Sequence, residues 1–165
     1  MNTTFTIERL HASQLSAVAE IERLCFAEPW SENALGMLLR DGAVGFAAIA
    51  VNEASNKSDA LSDAPTVTNT VIAYGGMLLA PDDGQITNIA VHPDHRRKGA
   101  GRAILSALIA EAERLGLEQM SLEVRASNLA AKALYLSAGF AVAGIRKRFY
   151  RHPPEDALVM IRSGT

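Results

Sequence analysis

Apolar residues in the first third of the chain occur at strand spacing, then at helix spacing, and then in an unbroken run. The alternation over residues 4–10 predicts a short strand. Helical spacing follows, with Ser13 as the expected cap of a first helix and Ser31 as the cap of a second. The second helix carries three leucines at this spacing, Leu35, Leu38 and Leu39. The run 43–51 has the length of a strand and predicts one that is buried on both faces.

A polar stretch interrupts the pattern at residues 52–69. These eighteen residues are rich in Ser, Asp, Asn and Thr and contain Pro65. Since loops in compact domains are rarely so long, we expect a mobile hairpin insertion on the surface. A returning strand is then predicted over 70–80, a tight turn over 81–84 and a further strand over 85–91.

The second half of the chain alternates between helical and strand periods. The expected elements are a helix over 102–115, a strand over 118–124, a helix over 127–137 that Ser127 caps, and strands over 140–145 and 157–161. The complete order is β-α-α-β-β-β-α-β-α-β-β, which predicts an α+β (mixed α/β) fold in one domain spanning residues 1–165.

Composition narrows the class of protein. The chain has 165 residues, 48% of them apolar and 21% charged, as in soluble globular domains. Its net charge of −2 favours neither nucleic acid nor membrane as a partner. The N-terminus lacks the pattern of a signal peptide and no apolar run is long enough to span a bilayer, so a cytoplasmic location is expected. The single cysteine, Cys25, is expected to be a buried small hydrophobe.

A basic, glycine-bearing segment joins the strand 85–91 to the next helix: Arg96-Arg97-Lys98-Gly99-Ala100-Gly101-Arg102. Free backbone N–H groups at a helix N-terminus bind anions, so this segment predicts a phosphate or pyrophosphate site. A solvated basic loop before an ordinary helix is the alternative. A dinucleotide-binding motif is disfavoured because Ile104 occupies the position of its third glycine and the connection 91–99 is too long.

Three further residues are candidates for chemistry. Glu123 lies near the end of a strand and opposite its apolar face, where a carboxylate acts as a general base or is merely solvated or paired, for example with Arg125. Asn128 and Tyr135 are seven residues apart and fall on one face of the expected helix. They either present an amide and a phenol to a groove, or serve as a helix cap and a core aromatic residue.

Together these segments resemble the GCN5-related N-acetyltransferase (GNAT) family. The segment 96–101 is similar to that family's pyrophosphate loop, and the similarity continues through Leu122-Glu123-Val124-Arg125-Ala126-Ser127-Asn128, Ala133-Leu134-Tyr135 and Gly139-Phe140. Phe26-Ala27-Glu28-Pro29-Trp30-Ser31 and Glu155-Asp156-Ala157 extend the resemblance to the branch that acetylates the N-terminal alanine of a small-subunit ribosomal protein. The resemblance implies a single domain with a central, mixed, mostly antiparallel twisted sheet flanked by helices.

The resemblance also implies the roles of individual residues. Acetyl-CoA is the implied co-substrate, without a metal, and the implied acceptor is the N-terminal segment of a ribosomal protein. Glu123 is implied as the proton acceptor and Tyr135 as the proton donor, with Trp30 and Tyr150 as walls of the acceptor groove. The residues implied to bind acetyl-CoA are Ile89, Ala90, Val91, Arg97, Lys98, Gly99, Ala100, Gly101, Arg102 and Asn128.

The chain departs from the pattern of that branch at three places. His92 stands where the branch usually has an acid, the insertion 52–69 is longer than the branch needs, and the segment before Glu155 is shorter and more basic. The basic run 146–151 either docks on an RNA-rich partner or forms a solvated hairpin face. Neither a membrane partner nor sequence-specific nucleic-acid binding is expected. The alternative functions are transfer to a small-molecule amine or a protein lysine, and non-catalytic binding of acyl-CoA.

Proton energetics favour an α-amine as the acceptor. An α-amino group has a pKa near 8 and lysine about 10.4, so at neutral pH about a tenth of α-amines are neutral against well under a hundredth of lysines. Glu123 then has a modest task as base. A tyrosine has a pKa near 10 and a thiol about 8.5, so Tyr135 is expected mainly to donate a hydrogen bond unless cations such as Arg125 lower its pKa.

Overall fold

The computed structural model of the protein describes residues 4–54 and 66–164. The strands in this part of the chain are β1 Phe5–Arg9, β2 Ala43–Ala54, β3 Thr66–Leu79, β4 Asp83–Val91, β5 Gln119–Arg125, β6 Ala141–Arg151 and β7 Pro154–Ser163. The α-helices are α1 Leu15–Cys25, α2 Glu32–Leu35, α3 Ala100–Arg114 and α4 Leu129–Ser137. This order of elements is the predicted one.

The strands form one sheet in the order β1-β2-β3-β4-β5-β7-β6. Every neighbouring pair is antiparallel except β4 and β5, which confirms the mixed, mostly antiparallel sheet. The parallel pairing is short, because residues 83–85 of β4 face 119–121 of β5 and pairing then stops. Ser121 donates a hydrogen bond to Asp83 at 2.7 Å at the paired end. Beyond it, the facing backbone groups of the two strands have no ladder partner.

Helices cover both faces of the sheet. Helices α3 and α4 pack on the face to which Leu122 and Val124 of β5 point, and helix α1 packs on the other face. Strand β2 serves both faces, with Ala48 in the first cluster and Ala47 in the second, which confirms its predicted burial on both sides. Because side chains alternate along a strand, Glu123 lies on the α1 side of the sheet.

The start of α1 differs from the prediction. Ser13 does not cap this helix, because it lies within a preceding 3₁₀ turn, Ala12–Gln14. Gln14 provides the local hydrogen bond instead, since its side-chain oxygen accepts from the backbone N–H of His11 at 2.9 Å.

The second helix is shorter than predicted. Ser31 caps it as expected, with its hydroxyl accepting a backbone hydrogen bond at 3.2 Å. The α-helix ends at Leu35, however, and a 3₁₀ segment, Gly36–Leu39, follows. Because a 3₁₀ helix has three residues per turn, Leu35 and Leu38 lie on one side and are buried, whereas Leu39 is exposed.

Strands β2 and β3 continue into the predicted insertion. Their ladder extends to the pair formed by Ala54 and Thr66, so both ends of the segment 52–69 are paired strand rather than loop. The predicted mobile part, residues 55–65, lies outside the described residues. The turn predicted over 81–84 is also tighter, because β4 already begins at Asp83.

The C-terminal hairpin is longer than the predicted strands 140–145 and 157–161. Strand β6 runs to Arg151 and β7 begins at Pro154, so the basic run 146–151 lies in a strand. Strand β6 is at the edge of the sheet, and most of its side chains are exposed. Strand β7 therefore separates the basic run on β6 from the end of β5 that does not pair with β4.

Candidate active site

The basic loop leads into a helix N-terminus, and two residues with positive φ shape its backbone. Arg97 has a φ of 62°, and Gly99, the N-cap of α3, has a φ of 88°. The helix begins at Ala100, two residues earlier than predicted, and its first backbone bond runs from Ala103 N to Gly99 O. The N–H groups of residues 99–102 therefore have no carbonyl partner inside the helix, and this is the arrangement that binds anions.

The cations of the loop differ in what they contact. Arg96 braces the loop, because it donates to Val91 O at 3.2 Å and lies 3.4 Å from the sulfur of Cys25. Cys25 is partly exposed there, whereas the sequence predicted a buried small hydrophobe. Lys98 Nζ donates to Asp94 O at 3.1 Å, and Arg102 to Ser137 Oγ at 3.2 Å. Arg97 is exposed and forms no hydrogen bond or ion pair with any described side chain, so its guanidinium is available to a phosphate.

Gly101 shows how closely the loop, β4 and α4 approach one another. A Cβ atom added at Gly101 would lie 3.3 Å from Val91 Cγ2 and 3.9 Å from Leu134 Cδ2. Gly101, which carries one of the free N–H groups of α3, therefore packs closely between the end of β4 and the inner side of α4. A pyrophosphate group is complementary to the free N–H donors at the start of α3, and residues 97–102 would hold it.

Strand β4 contains a β-bulge just before residues 89–91. Thr87 is an extra residue between Ile86 and Asn88, which both pair with β3. After the bulge, Asn88 points toward α1 whereas Ile89 packs toward α3. Since β5 no longer pairs with β4 here, the backbone groups of residues 86–90 that face β5 have no ladder partner and are open to a ligand.

Glu123 lies on β5 just beyond the last residue that pairs with β4. Its side chain is 13% exposed, and its Oε1 is 3.4 Å from Arg146 Nε. Arg125, the partner suggested by the sequence, instead contacts Glu155 at 3.2 Å and the backbone carbonyls of the β6–β7 turn. The side chain of Arg146 is 58% exposed, so this ion pair is weak and readily exchanged. The carboxylate keeps lone pairs that can accept a proton or a hydrogen bond.

Tyr135 packs in the core between α4 and the sheet, in edge contact with Phe140 at a ring distance of 5.8 Å. It is only 8% exposed, and no described residue hydrogen-bonds its hydroxyl. Burial, together with the nearby Tyr150 phenol, raises the pKa of Tyr135 to about 12. Arg125 does not lower this pKa, because its guanidinium lies 4.1 Å from the ring centre of Tyr150 instead. The condition stated above, a cation that lowers the pKa of Tyr135, is therefore not met by Arg125, and Tyr135 does not give up its proton easily.

Tyr150 connects the two candidate catalytic residues. Burial is the main cause that raises its pKa, Arg125 lowers it, and the charges of Glu123 and Glu155 raise it further. Tyr150 in turn raises the pKa of Tyr135. Glu123 and Tyr135 therefore both lie near the phenol of Tyr150.

Asn128 caps α4, in place of the predicted Ser127. Its Oδ1 accepts a hydrogen bond from Ala131 N at 3.1 Å, and its ψ of 78° places it before the helix. The N–H of Ser127 donates to Glu155 Oε1 at 2.6 Å, which holds the turn in this position. For Asn128 and Tyr135 the structure thus shows the alternative that the sequence left open, a helix cap and a core aromatic residue.

A buried carboxylate that sequence reasoning missed lies under the bulge. Glu22 of α1 is 1% exposed and accepts hydrogen bonds from the Tyr74 hydroxyl, from Asn88 Nδ2 at 2.9 Å and from Trp30 N at 2.9 Å. Burial and the charge of Glu22 raise the pKa of Tyr74 far above its usual range, so Tyr74 remains a donor. Glu22 stands four residues after Val18, which places a carboxylate on the apolar side of α1. This position is the feature of the sequence that could have indicated a buried carboxylate.

Two negative findings concern the described residues. Among them, no group of three or more His, Cys, Asp or Glu side chains is placed to hold a metal ion. In the same part of the chain, no helix has both the length and the apolar character needed to cross a membrane.

A family model described as the acetyltransferase (GNAT) family matches residues 15–140 of the chain. The chain is 37% identical over 158 residues to the [ribosomal protein bS18]-alanine N-acetyltransferase of Escherichia coli K12, covering 94% of this chain and 95% of that protein. It is 29% identical to a putative enzyme of the same name from Bacillus subtilis, covering 97% and 96% of the two chains.

Solved structures give the same comparison in three dimensions. The crystal structure of the ribosomal-protein-S18-alanine N-acetyltransferase from Escherichia coli matches with a TM-score of 0.78 and 34% identity, covering 97% of this chain and 94% of that one. The NatC complex bound to Gag peptide and CoA matches with a TM-score of 0.76 at 20% identity, covering 98% of this chain and 99% of that one, which shows a shared fold.

Proposed function

The chain belongs to the acetyltransferase (GNAT) family and is an acyltransferase of that class, and we propose that it acetylates the N-terminal amine of a protein with acetyl-CoA as the donor. The preferred acceptor in this proposal is the N-terminal alanine of ribosomal protein bS18. The observation that carries the proposal is the early end of the β4–β5 pairing, which leaves a cleft with an anion-binding loop on one side and Glu123 on the other.

The donor side of the cleft suits the pyrophosphate of acetyl-CoA. Its N–H groups at residues 99–102 and the unpaired guanidinium of Arg97 are complementary to a diphosphate. The unpaired backbone of residues 86–90 continues from there toward Glu123, so the chain of the co-substrate can extend along β4. Acetyl-CoA supplies the activated acetyl group, and the protein aligns it with the acceptor amine.

Glu123 is the proposed proton acceptor. It is partly shielded from water, it lies on the α1 side of the sheet, and its only described ion-pair partner is the exposed Arg146. An α-amine with a pKa near 8 can reach its neutral form with help from such a carboxylate, directly or through one water molecule. As the amine attacks the thioester, its surplus proton passes to Glu123.

Tyr135 is the proposed partner of the departing sulfur. Because a thiol has a pKa of about 8.5, full proton transfer from a tyrosine whose pKa is about 12 is uphill by about 5 kcal/mol. A hydrogen bond from the Tyr135 hydroxyl to the thiolate has no such cost. We therefore assign Tyr135 the role of stabilising the thiolate, which is then protonated from solvent.

Replacing Tyr135 by phenylalanine should lower kcat by about 10- to 100-fold, because one hydrogen bond to a developing charge is lost. The Kd of acetyl-CoA should change by less than about threefold, since this bond forms only as the sulfur leaves. Steady-state kinetics and calorimetric titration measure the two quantities. The melting temperature should hardly move, because no described residue hydrogen-bonds this hydroxyl. An unchanged kcat would reduce Tyr135 to a core aromatic residue.

A panel of acceptors tests the proposed function. A peptide copying the N-terminus of bS18 should be acetylated with the highest kcat/KM, and the same peptide with a blocked N-terminus and a free lysine should react at least about 100-fold more slowly, as the two amine pKa values suggest. Equal rates with spermidine or free amino acids would favour a small-molecule acetyltransferase. Binding of acetyl-CoA without turnover of any amine would favour a non-catalytic acyl-CoA-binding module.

The proposal extends to the whole chain. The family model stops at residue 140, but β6 and β7 belong to the same sheet and complete the surroundings of Glu123. We therefore assign residues 1–165 to one acetyltransferase domain. A cytoplasmic location accompanies this assignment, because newly made ribosomal proteins are found there.

A further inference from the structure

The Glu22 cluster fixes the orientation of one amide at the bulge of β4. A carboxylate only accepts hydrogen bonds, so the group of Asn88 that faces Glu22 must be its NH₂. The same NH₂ lies 3.3 Å from the Tyr74 hydroxyl, whose own proton is directed to Glu22. Both donor positions of Asn88 are therefore used within the protein. Its carbonyl oxygen, Oδ1, receives no hydrogen bond from any described residue and points away from the cluster.

Asn88 and Glu123 lie on the same face of the sheet. Asn88 contacts α1 through Glu22, and Glu123 lies on the α1 side because its neighbours on β5 pack toward α3. They also lie on the two strands that separate, each three or fewer residues beyond the last β4–β5 pair at Gln85 and Ser121. The cleft is thus bordered by an amide oxygen on one strand and a carboxylate on the other.

A primary amine that attacks a thioester needs two acceptors. Its lone pair points at the carbonyl carbon, so its two N–H groups point elsewhere and lose water when the cleft fills. Glu123 can serve one of these groups. We propose that Asn88 Oδ1 serves another, and that Asn88 is a binding residue for the acceptor amine; this inference rests on the proposed function.

Glu22 is then a positioning residue. Its carboxylate holds the Asn88 amide and the backbone N–H of Trp30 at the same time, both at 2.9 Å. Trp30 belongs to the segment between α1 and α2, one of the walls expected for the acceptor groove. The buried charge of Glu22 also favours a cation at Asn88, which attracts the protonated amine before reaction.

A binding experiment that involves no turnover tests the proposal. The enzyme saturated with CoA is titrated by calorimetry with an alanine-initiated acceptor peptide and with its desamino analogue, in which the N-terminal amine is replaced by hydrogen. The wild-type protein should bind the amine peptide about tenfold more tightly. In Asn88→Ala this preference should fall to about twofold, while the affinity for the desamino peptide changes little.

Tyr74→Phe is the matched control. This change removes both hydrogen bonds of the Tyr74 hydroxyl, the one to Glu22 and the 3.3 Å contact with Asn88, but it keeps the bond between Asn88 and Glu22. It should therefore lower the melting temperature and retain the tenfold preference. If Asn88→Ala does not fold, Asn88→Ser is used, because the shorter serine side chain cannot contact both Glu22 and the acceptor amine. Loss of the preference in Tyr74→Phe, or its retention in the Asn88 variant, would overturn the inference.

The result also separates this inference from the proposed function. If the wild-type protein acetylates the peptide but the Asn88 variant keeps the amine preference, only the inference fails. If the wild-type protein acetylates no peptide and does not distinguish the two analogues, the proposed function fails and the inference fails with it.

Discussion

Replacing Glu123 by glutamine is expected to lower kcat with an N-terminal alanine peptide about 1,000-fold at pH 7, the effect typical of a lost general base. The amide keeps the shape of the side chain and its place at the unpaired end of β5, but it cannot take a proton. The Kd of acetyl-CoA should stay within about threefold of the wild-type value, because the anion-binding loop is at the opposite side of the cleft. Steady-state kinetics and calorimetry measure both.

The pH dependence sharpens this expectation. As pH rises through the pKa of the α-amine, near 8, a growing fraction of the acceptor is already neutral and does not need Glu123 to deprotonate it before attack. The defect of Glu123→Gln should therefore shrink between pH 7 and pH 9.5, when kcat/KM of both proteins is followed over this range. A defect that is constant with pH would indicate that Glu123 binds or orients the acceptor and does not take its proton.

Glu113→Gln is a suitable control for the lost ion pair. Glu113 of α3 contacts Arg162 at 3.0 Å, so its replacement also removes a carboxylate from an ion pair at a partly exposed position. It is on the outer side of α3 and away from the cleft. Normal kcat in Glu113→Gln, with a similar small change in melting temperature, would show that the effect at Glu123 arises from chemistry and not from the ion pair.

Much of the fold follows from local patterns in the sequence. The alternation around Leu122 and Val124 correctly placed Glu123 on the opposite face, and the unbroken run 43–51 correctly predicted a strand that serves two cores. Helix caps were harder to assign, because Ser127 and Asn128 are both good capping residues. Which of them caps α4 is decided by Glu155, which is distant in sequence and binds the N–H of Ser127.

The candidate site was less predictable, because its geometry depends on contacts between distant segments. The pairing of Glu123 with Arg146 requires the register of the β6–β7 hairpin, and the bulge at Thr87 requires the partner strand β3. The raised pKa of Tyr135 depends on burial and on Tyr150. No local pattern contains this information, whereas the anion-binding loop is a continuous segment and its position at a helix N-terminus was predicted.

Replacing Gly101 by valine is expected to raise the Kd of acetyl-CoA at least about 100-fold. The Cβ atom would lie 3.3 Å from Val91 and 3.9 Å from Leu134, so the two methyl groups beyond it must enter the space between the end of β4 and α4. Gly101 itself carries one of the free N–H groups at the start of α3. A branched side chain there keeps an anion from those donors, and the binding energy of the pyrophosphate is lost.

Gly99→Ala separates blockage of this space from disturbance of the loop. A Cβ atom at Gly99 meets nothing within 4 Å, but the residue has a φ of 88°, so alanine there should cost about 1 kcal/mol of folding free energy without filling the space. Gly99→Ala should therefore melt at a lower temperature and bind acetyl-CoA within a few fold of the wild type. Gly101→Val should remain folded by circular dichroism and fail to bind. Normal calorimetric binding by Gly101→Val would refute the assignment of residues 97–102 to the pyrophosphate.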